Sequence, residues 1–261
     1  MNIKYYQIDA FTDRVFSGNP AGVCLLDQWL EDSILQSIAA ENNLSETAFL
    51  VQTGSHYDLR WFTPKIEVDL CGHATLASAF AVFENVDPQT RRVDFQTKSG
   101  PLSVEREGEL LMMDFPTRRP ETCPPPANLA AILGLTPTRT LRARDLLAVF
   151  EHEEQVRRLQ PDFDRMADLD EFAVIVTAPG EKSDFVSRFF APRVGIPEDP
   201  VTGSAHCTLI PYWSEQLGKK EMNALQVSER GGALFCRDRG ERVSIGGRAV
   251  AYLSGTIRIK P

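Results

Sequence analysis

Nine residues, Arg60-Trp-Phe-Thr-Pro64-Lys-Ile-Glu-Val68, return as Arg188-Phe-Phe-Ala-Pro192-Arg-Val-Gly-Ile196, an offset of 128 residues (60 to 188). Both copies read basic, aromatic, aromatic, small, proline, basic, β-branched, any, β-branched. Each then runs into a helical stretch that opens on glycine, Gly72-His73 or Gly203-Ser204. Chance could supply the short match, but hardly the helix after it as well, so the chain reads as a duplicated strand-and-helix unit. Two such halves related by a pseudo-twofold axis would turn their helix N-termini toward each other.

The helical stretches differ in kind. Leu30 to Asn42 carries Leu30, Ile34, Leu35, Ile38 and Ala39 on one stripe, the pattern of a surface helix with one buried face. From Gly72 to Glu84, apolar residues surround the axis, and a helix apolar on all sides has to be enclosed by other elements. Strands are expected at Ile3–Phe11, Thr47–Val51, Tyr57–Phe62, Arg92–Thr97, Leu102–Arg106 and Leu110–Phe115, where β-branched and aromatic residues lie between turn residues. The order partly repeats later: strands at Leu146–Phe150, Phe172–Thr177 and Asp184–Phe190, a helix from about Gly203 to Leu217, then further strands. Five prolines within Pro116–Pro126 remove amide donors and prevent a regular element there. The reading is an α+β chain of two pseudo-symmetric domains, each a barrel-like sheet around a central helix. The first spans 1–116, a linker 117–126, and the second 127–248, with a last strand at about 249–261 returning to the first. The stretch from Leu133 to Asp170 shows no motif.

Composition narrows the function classes. A formal charge of −8 over 261 residues lacks the basic footprint of a nucleic-acid binder. With 43% hydrophobic and 25% charged residues, the chain has globular rather than disordered composition. Met1 to Asp9 alternates polar and apolar residues, unlike a secretory signal. The longest weakly polar run, Gly72 to Phe83, falls short of the roughly 18 residues of a membrane span. Cys24, Cys71, Cys123, Cys207 and Cys236 are odd in number and scattered, so neither a disulfide framework nor a zinc ribbon is expected. A soluble protein of the reducing cytoplasm, with no nucleic-acid or membrane partner, fits these features.

Opposed helix N-termini would make an anion site, because each offers unpaired backbone N–H groups and the positive end of a dipole. A small carboxylate suits such a site, and so does the enolate-like charge left when a proton departs from a neighbouring carbon, without metal or organic cofactor. Candidate acid–base groups nearby are Glu46, Cys71, His73, Asp199, Ser204 and His206. Taken singly, Glu46 reads as an exposed strand-end carboxylate, His73 and Ser204 as helix caps, and Asp199 before Pro200 as a turn residue. His206 and Cys207 fall inside the second helix and read as buried against the sheet. By the 128-residue offset Cys71 pairs with Asp199, so a symmetric pair of thiols is absent, although the match across the helix start needs a gap.

Several segments together carry a resemblance: Asp9-Ala10-Phe11-Thr12, Phe16-Ser17-Gly18-Asn19-Pro20-Ala21-Gly22-Val23, Ser45-Glu46-Thr47-Ala48-Phe49, Phe62-Thr63-Pro64, Cys71-Gly72-His73-Ala74-Thr75 and Glu198-Asp199-Pro200-Val201-Thr202-Gly203-Ser204. They resemble the PhzF-like family of phenazine-biosynthesis isomerases, of the diaminopimelate-epimerase-like fold, and the likeness runs from residue 3 to the last strand. The resemblance implies two similar barrel-and-helix domains, an active site in the cleft between them, and a homodimer. It further implies a cofactor-independent, metal-free isomerisation like that of trans-2,3-dihydro-3-hydroxyanthranilate, in which a glutamate carries a proton from one ring carbon to another. By motif, the catalytic residues are Glu46, His73 and Asp199, and the substrate-binding residues are Gly72, Gly203, Ser204 and Asn19. A shuttling carboxylate works best with a pKa raised toward neutrality, which is an expectation for Glu46.

Two rivals stand beside this reading. One is a two-base epimerase or racemase using Cys71 and an acid from the other half; the other is a binding or scaffolding protein that kept the fold and lost turnover. Neither the physiological substrate nor any part in a phenazine pathway is legible in the chain.

Overall fold

The computed structural model describes residues 1–259, and the chain divides into two units. One is Met1–Asp114 together with the segment from Gly246 onward; the other is Phe115–Ile245.

The first unit contains β1 (Asn2–Ala10), β2 (Asn19–Leu26), α1 (Asp32–Asn42), β3 (Glu46–Thr53), β4 (His56–Phe62), β5 (Glu67–Val68), α2 (Gly72–Asn85), β6 (Arg92–Thr97), β7 (Gly100–Glu107) and β8 (Leu110–Pro116). β1 runs antiparallel to β2, β2 parallel to β3 and β3 antiparallel to β4. β4 is antiparallel to β5 and parallel to β6, and β6, β7 and β8 continue antiparallel. α2 packs against β1, β2, β3 and β7, so strands enclose it as its all-round apolar pattern requires. Ala74, Ala77, Ala79 and Ala81 are fully buried, and their small side chains let the strands approach the helix axis. Its two buried hydroxyls are satisfied internally: Thr75 Oγ1 donates to Cys71 O at 2.6 Å and Ser78 Oγ to Ala74 O at 2.7 Å. α1 buries Leu35, Ile38 and Ala39 and ends on Asn43 at φ 49°, a left-handed cap.

The second unit contains β9 (Glu121–Thr122), α3 (Leu129–Leu133), β10 (Arg139–Arg142), β11 (Leu146–Val149), α4 (Glu153–Arg158), α5 (Phe163–Ala167), β12 (Val174–Pro179), β13 (Phe185–Ala191), β14 (Ile196–Asp199), α6 (Gly203–Leu217), β15 (Glu221–Gln226), β16 (Gly232–Asp238) and β17 (Arg242–Gly247). Its pairing repeats that of the first unit. β10 is antiparallel to β11, β11 parallel to β12, and β12 antiparallel to β13. β13 is antiparallel to β14 and parallel to β15, which is antiparallel to β16. β18 (Ala249–Arg258) belongs to the first unit and runs antiparallel along β1. The expected last strand therefore lies along the first one, and positions 260 and 261 of that expectation fall outside the described residues.

The repeated nonapeptide has a shared structural use. Arg60 in β4 makes a two-pronged ion pair with Glu67 at 2.7 and 2.8 Å and lies over the Phe62 ring at 5.1 Å. Arg188 in β13 pairs with Glu198 at 2.7 and 2.8 Å and lies over Phe190 at 4.9 Å. In both units a planar guanidinium thus ties a strand to the short strand that follows, with fixed geometry on two sides.

The register corrects the repeat arithmetic. Trp61 pairs with Val68, but Phe189 pairs with Asp199, because the second copy inserts a 3-10 turn at Pro192–Val194 and a left-handed Gly195 at φ 85°. Beyond that turn the offset is 131 residues (68 to 199), so Asp199 corresponds to Val68 and Cys71 to Thr202 rather than to Asp199.

Other local expectations shift as well. The proline-rich stretch is not devoid of regular structure: Glu121 and Thr122 pair with Arg142 and Leu141, because neither is a proline and each keeps its amide. It lies wholly in the second unit, where Thr117 N–H donates to Glu241 O and Arg118 N–H to Cys207 O. The motif-poor stretch 133–170 forms β10, β11, α4 and α5. The strand expected from Phe172 begins at Val174, leaving Phe172 half-exposed. Among the described residues no helix is long and apolar enough to cross a membrane.

Candidate active site

In the first unit the side chains singled out by sequence converge on the head of α2. Glu46 is the first residue of β3 and is 8% exposed, so it is not the exposed strand-end carboxylate that its position suggested. β3 runs parallel to β2 and antiparallel to β4, and its first six residues are all buried, which draws the carboxylate inward. Asn19, the first residue of β2, is fully buried, and His73 is buried on the first turn of α2. His73 Nε2 lies 3.2 Å from Glu46 Oε2. Its other ring nitrogen, Nδ1, lies 3.2 Å from Asn19 Nδ2 and 3.5 Å from Cys71 Sγ. At 3.2 Å the Glu46 approach is close, but its direction falls short of a formed hydrogen bond at the ring nitrogen.

These contacts assign a tautomer. Burial pushes the His73 pKa down to about 3, so the ring is neutral at physiological pH. The Asn19 amide N–H₂ can only donate, and a thiol next to it can donate too, so Nδ1 is the acceptor and the proton sits on Nε2, facing Glu46. Glu46, Cys71 and His73 could also be seen as a metal-binding cluster, their ligand atoms lying within 4.8 Å of one another. However, His73 turns one nitrogen to the thiol and the other to the carboxylate, and a single ion can use only one of them. An imidazole contacting the thiol at Nδ1 and facing the carboxylate across 3.2 Å at Nε2 accounts for the arrangement better.

A turn of unusual backbone holds Asn19 in place. Gly18 has φ +67°, and a Cβ there would lie 2.1 Å from Ala10 O. The Asp9 carboxylate, 2% exposed, accepts the Phe16 N–H at 3.0 Å and pins the same loop.

In the second unit Asp199 ends β14, and Gly203 and Ser204 open α6. The expectation that His73 and Ser204 cap their helices is corrected: the N-cap positions are Cys71 and Thr202, both extended, and neither makes a side-chain capping bond. Gly72, His73, Gly203 and Ser204 therefore lie in first turns, whose N–H groups have no partner within the helix. Thr202 Oγ1 instead donates to Asp199 Oδ2 at 2.5 Å. His206 is buried, as expected; its Nδ1–H donates to Thr202 O at 2.9 Å, the same service that Thr75 performs for Cys71 O. Burial holds its pKa down at about 4.

Sequence reasoning passed over three residues here. Gln226, 1% exposed at the end of β15, contacts both Thr202 and Asp199, and no local motif marks it. Arg144 reaches Ser204 Oγ at 3.5 Å while gripping the fully buried Asp145 carboxylate through two bonds of 2.9 Å. Both come from the motif-poor stretch, where the adjacent Arg-Asp pair was the only signal.

A family model described as phenazine biosynthesis-like protein matches residues 8–255. The chain belongs to that family. An uncharacterized isomerase of Pseudomonas aeruginosa is 53% identical over 260 residues, which cover 99% of this chain and all of that one. The crystal structure of a PhzF-family phenazine biosynthesis protein from Enterococcus faecalis superposes with a TM-score of 0.98 at 47% identity, covering 99% of this chain and all of that one. A hydroxyproline epimerase from Agrobacterium vitis, at 10% identity and a TM-score of 0.59 over 98% of this chain and 92% of its own, shares the fold. The phenazine biosynthesis-like chain is accordingly an α+β protein of the epimerase-like fold and an enzyme of the isomerase class. In it, Glu46, His73 and Asn19 are brought together in one unit, and Asp199, Gly203 and Ser204 occupy the head of α6 in the other.

Proposed function

We propose that this protein moves a proton between carbons of a small cyclic or unsaturated amino-acid-like carboxylate, without a cofactor, and that Glu46 is the acid–base group. The supporting observation is the buried Glu46 carboxylate 3.2 Å from a neutral His73 at the head of α2. Glu46 takes a proton from one substrate carbon, the electron pair of that C–H bond delocalises toward the substrate carboxylate, and the protonated Glu46 returns the proton to a second carbon as the pair shifts. No electron or atom is gained or lost overall, so the step needs no redox partner. The N–H groups of Gly72 and His73 would meet the charge that develops, and a neutral His73 can donate from Nε2 without carrying charge away from the site. On the strength of their motif, Asp199 is assigned a catalytic role and Gly203 and Ser204 are assigned to holding substrate groups.

The test is incubation of wild type and Glu46→Gln with trans-2,3-dihydro-3-hydroxyanthranilate in heavy water, following product and deuterium incorporation. The expected result is turnover with deuterium exchange in the wild type and a loss on the order of 10²-fold or more in the variant. Equal rates in the two proteins would remove Glu46 from the mechanism. The second reading, a two-base epimerase, rests on Cys71 Sγ lying 3.5 Å from His73 Nδ1; it requires that Cys71→Ala abolish activity.

A further inference from the structure

Gln226 lies outside every motif that points to the site, yet its side chain makes three hydrogen bonds at the head of α6. Its Oε1 accepts the Thr202 N–H at 2.8 Å. Its Nε2 donates to Asp199 O at 2.7 Å and to Thr202 Oγ1 at 3.2 Å. These contacts use both donor hydrogens of the amide and one of the two lone pairs on its oxygen. Because Thr202 Oγ1 receives one of those hydrogens, its own single hydrogen is directed to Asp199 Oδ2, 2.5 Å away. The direction of the whole chain, Gln226 to Thr202 to Asp199, is thereby fixed. Gln226 is 1% exposed and Thr202 7%, so water does not compete strongly for these bonds.

We propose that Gln226 is a positioning residue: through Thr202 and the Asp199 backbone carbonyl it helps fix where the Asp199 carboxylate points and keeps Oδ2 as an acceptor. The proposal rests on the reading of Asp199 as a substrate-facing group. The sheet makes the contact possible, because parallel pairing of β13 with β15 sets Gln226 beside Ser187, at the level from which its side chain reaches the α6 cap. A glutamate in its place would keep the size and the acceptor for Thr202 N–H but lose both donors and set a negative charge against Asp199 O.

The experiment compares wild type with Gln226→Glu, Gln226→Met, Thr202→Val and Thr202→Ser, by crystal structure and by turnover of trans-2,3-dihydro-3-hydroxyanthranilate. In Gln226→Glu, Gln226→Met and Thr202→Val, the Asp199 carboxylate is expected to leave its position, with kcat falling about 10- to 100-fold and KM changing by less than about threefold. Thr202→Ser keeps the hydroxyl and should retain both the position and the rate. The Gln226→Met/Thr202→Val double variant should lose no more than either single variant, because both act on one chain of bonds. An unmoved Asp199 in Gln226→Met overturns the proposal whatever the activity, as does a displaced Asp199 with an unchanged kcat. Should Gln226→Glu fail to fold, Thr202→Val breaks the same link. Glu46→Gln run in parallel separates the two ideas: if wild type does not turn the compound over, the functional reading fails, while the Asp199 position in the crystal structures still decides the role of Gln226.

Discussion

Cys71 and Thr202 hold the same place in the two halves of the chain. Each is the extended residue before a central helix, each is followed by glycine, and each has its carbonyl bonded by the side chain four residues on, Thr75 or His206. One half therefore carries a thiol where the other carries a hydroxyl already committed to Asp199. The carboxylates are unequal too. Glu46 corresponds to the buried Ala173, since Thr47 pairs with Phe62 as Val174 pairs with Phe190, and Asp199 corresponds to Val68. A duplicated scaffold thus carries two different acids at two non-equivalent positions, and no second thiol stands opposite Cys71 in the repeat.

Cys71→Ala should accordingly keep isomerase activity within about threefold, because its thiol supports the His73 tautomer only alongside Asn19. Steady-state rates on trans-2,3-dihydro-3-hydroxyanthranilate check this. A loss of 100-fold or more would instead make the thiol a base in its own right.

Stability should fall as the pH drops below 6.5, ahead of the range where carboxylates titrate. Burial lowers the folded-state pKa to about 3 for His73 and about 4 for His206, whereas an unfolded histidine takes up its proton near 6.5. Between those values the unfolded chain binds more protons, so acid favours unfolding. From pH 6.5 to 5 the two residues together should remove on the order of 3 kcal/mol. Urea unfolding across that window measures it, and His73→Gln should cut the slope by about half; a flat profile would contradict the neutral assignment of both rings.

Gly18→Ala should destabilise the first unit by about 3 kcal/mol or more, since an added Cβ meets Ala10 O at 2.1 Å in a backbone conformation that L-residues avoid. Activity should fall with it, because Asn19 is the next residue and orients His73. Denaturant titration of the variant reads the first effect, and a change below about 1 kcal/mol would show that the loop relaxes freely.

Arg188→Met should cost about 3 kcal/mol, because it strands Glu198 and removes donors from the carbonyls of Val156 and Leu159. Adding Glu198→Leu should restore part of that loss. A thermodynamic cycle over the two changes checks the coupling, and additivity within about 0.5 kcal/mol would mean that the pair contributes little.

Much of this was legible in the sequence because it is local. The duplication could be read from the nonapeptide, the enclosed helix from apolar residues on every side of Gly72–Glu84, and the residues at both helix heads from the motifs around Cys71-Gly72-His73 and Thr202-Gly203-Ser204. Periodicity and helix entry depend on residues a few positions apart, and those spacings survive in one dimension. Tertiary structure decided what depends on register. The extra turn after Pro192 moved the correspondence of Cys71 from Asp199 to Thr202. Burial of Glu46 came from strands on both sides of β3, and the reach of Gln226 to Thr202 and Asp199 came from the parallel pairing of β13 with β15. A strand's side chains alternate with a period of two whatever its partner, so the sequence determines which residues share a face, while only the assembled sheet determines which distant residue stands opposite them.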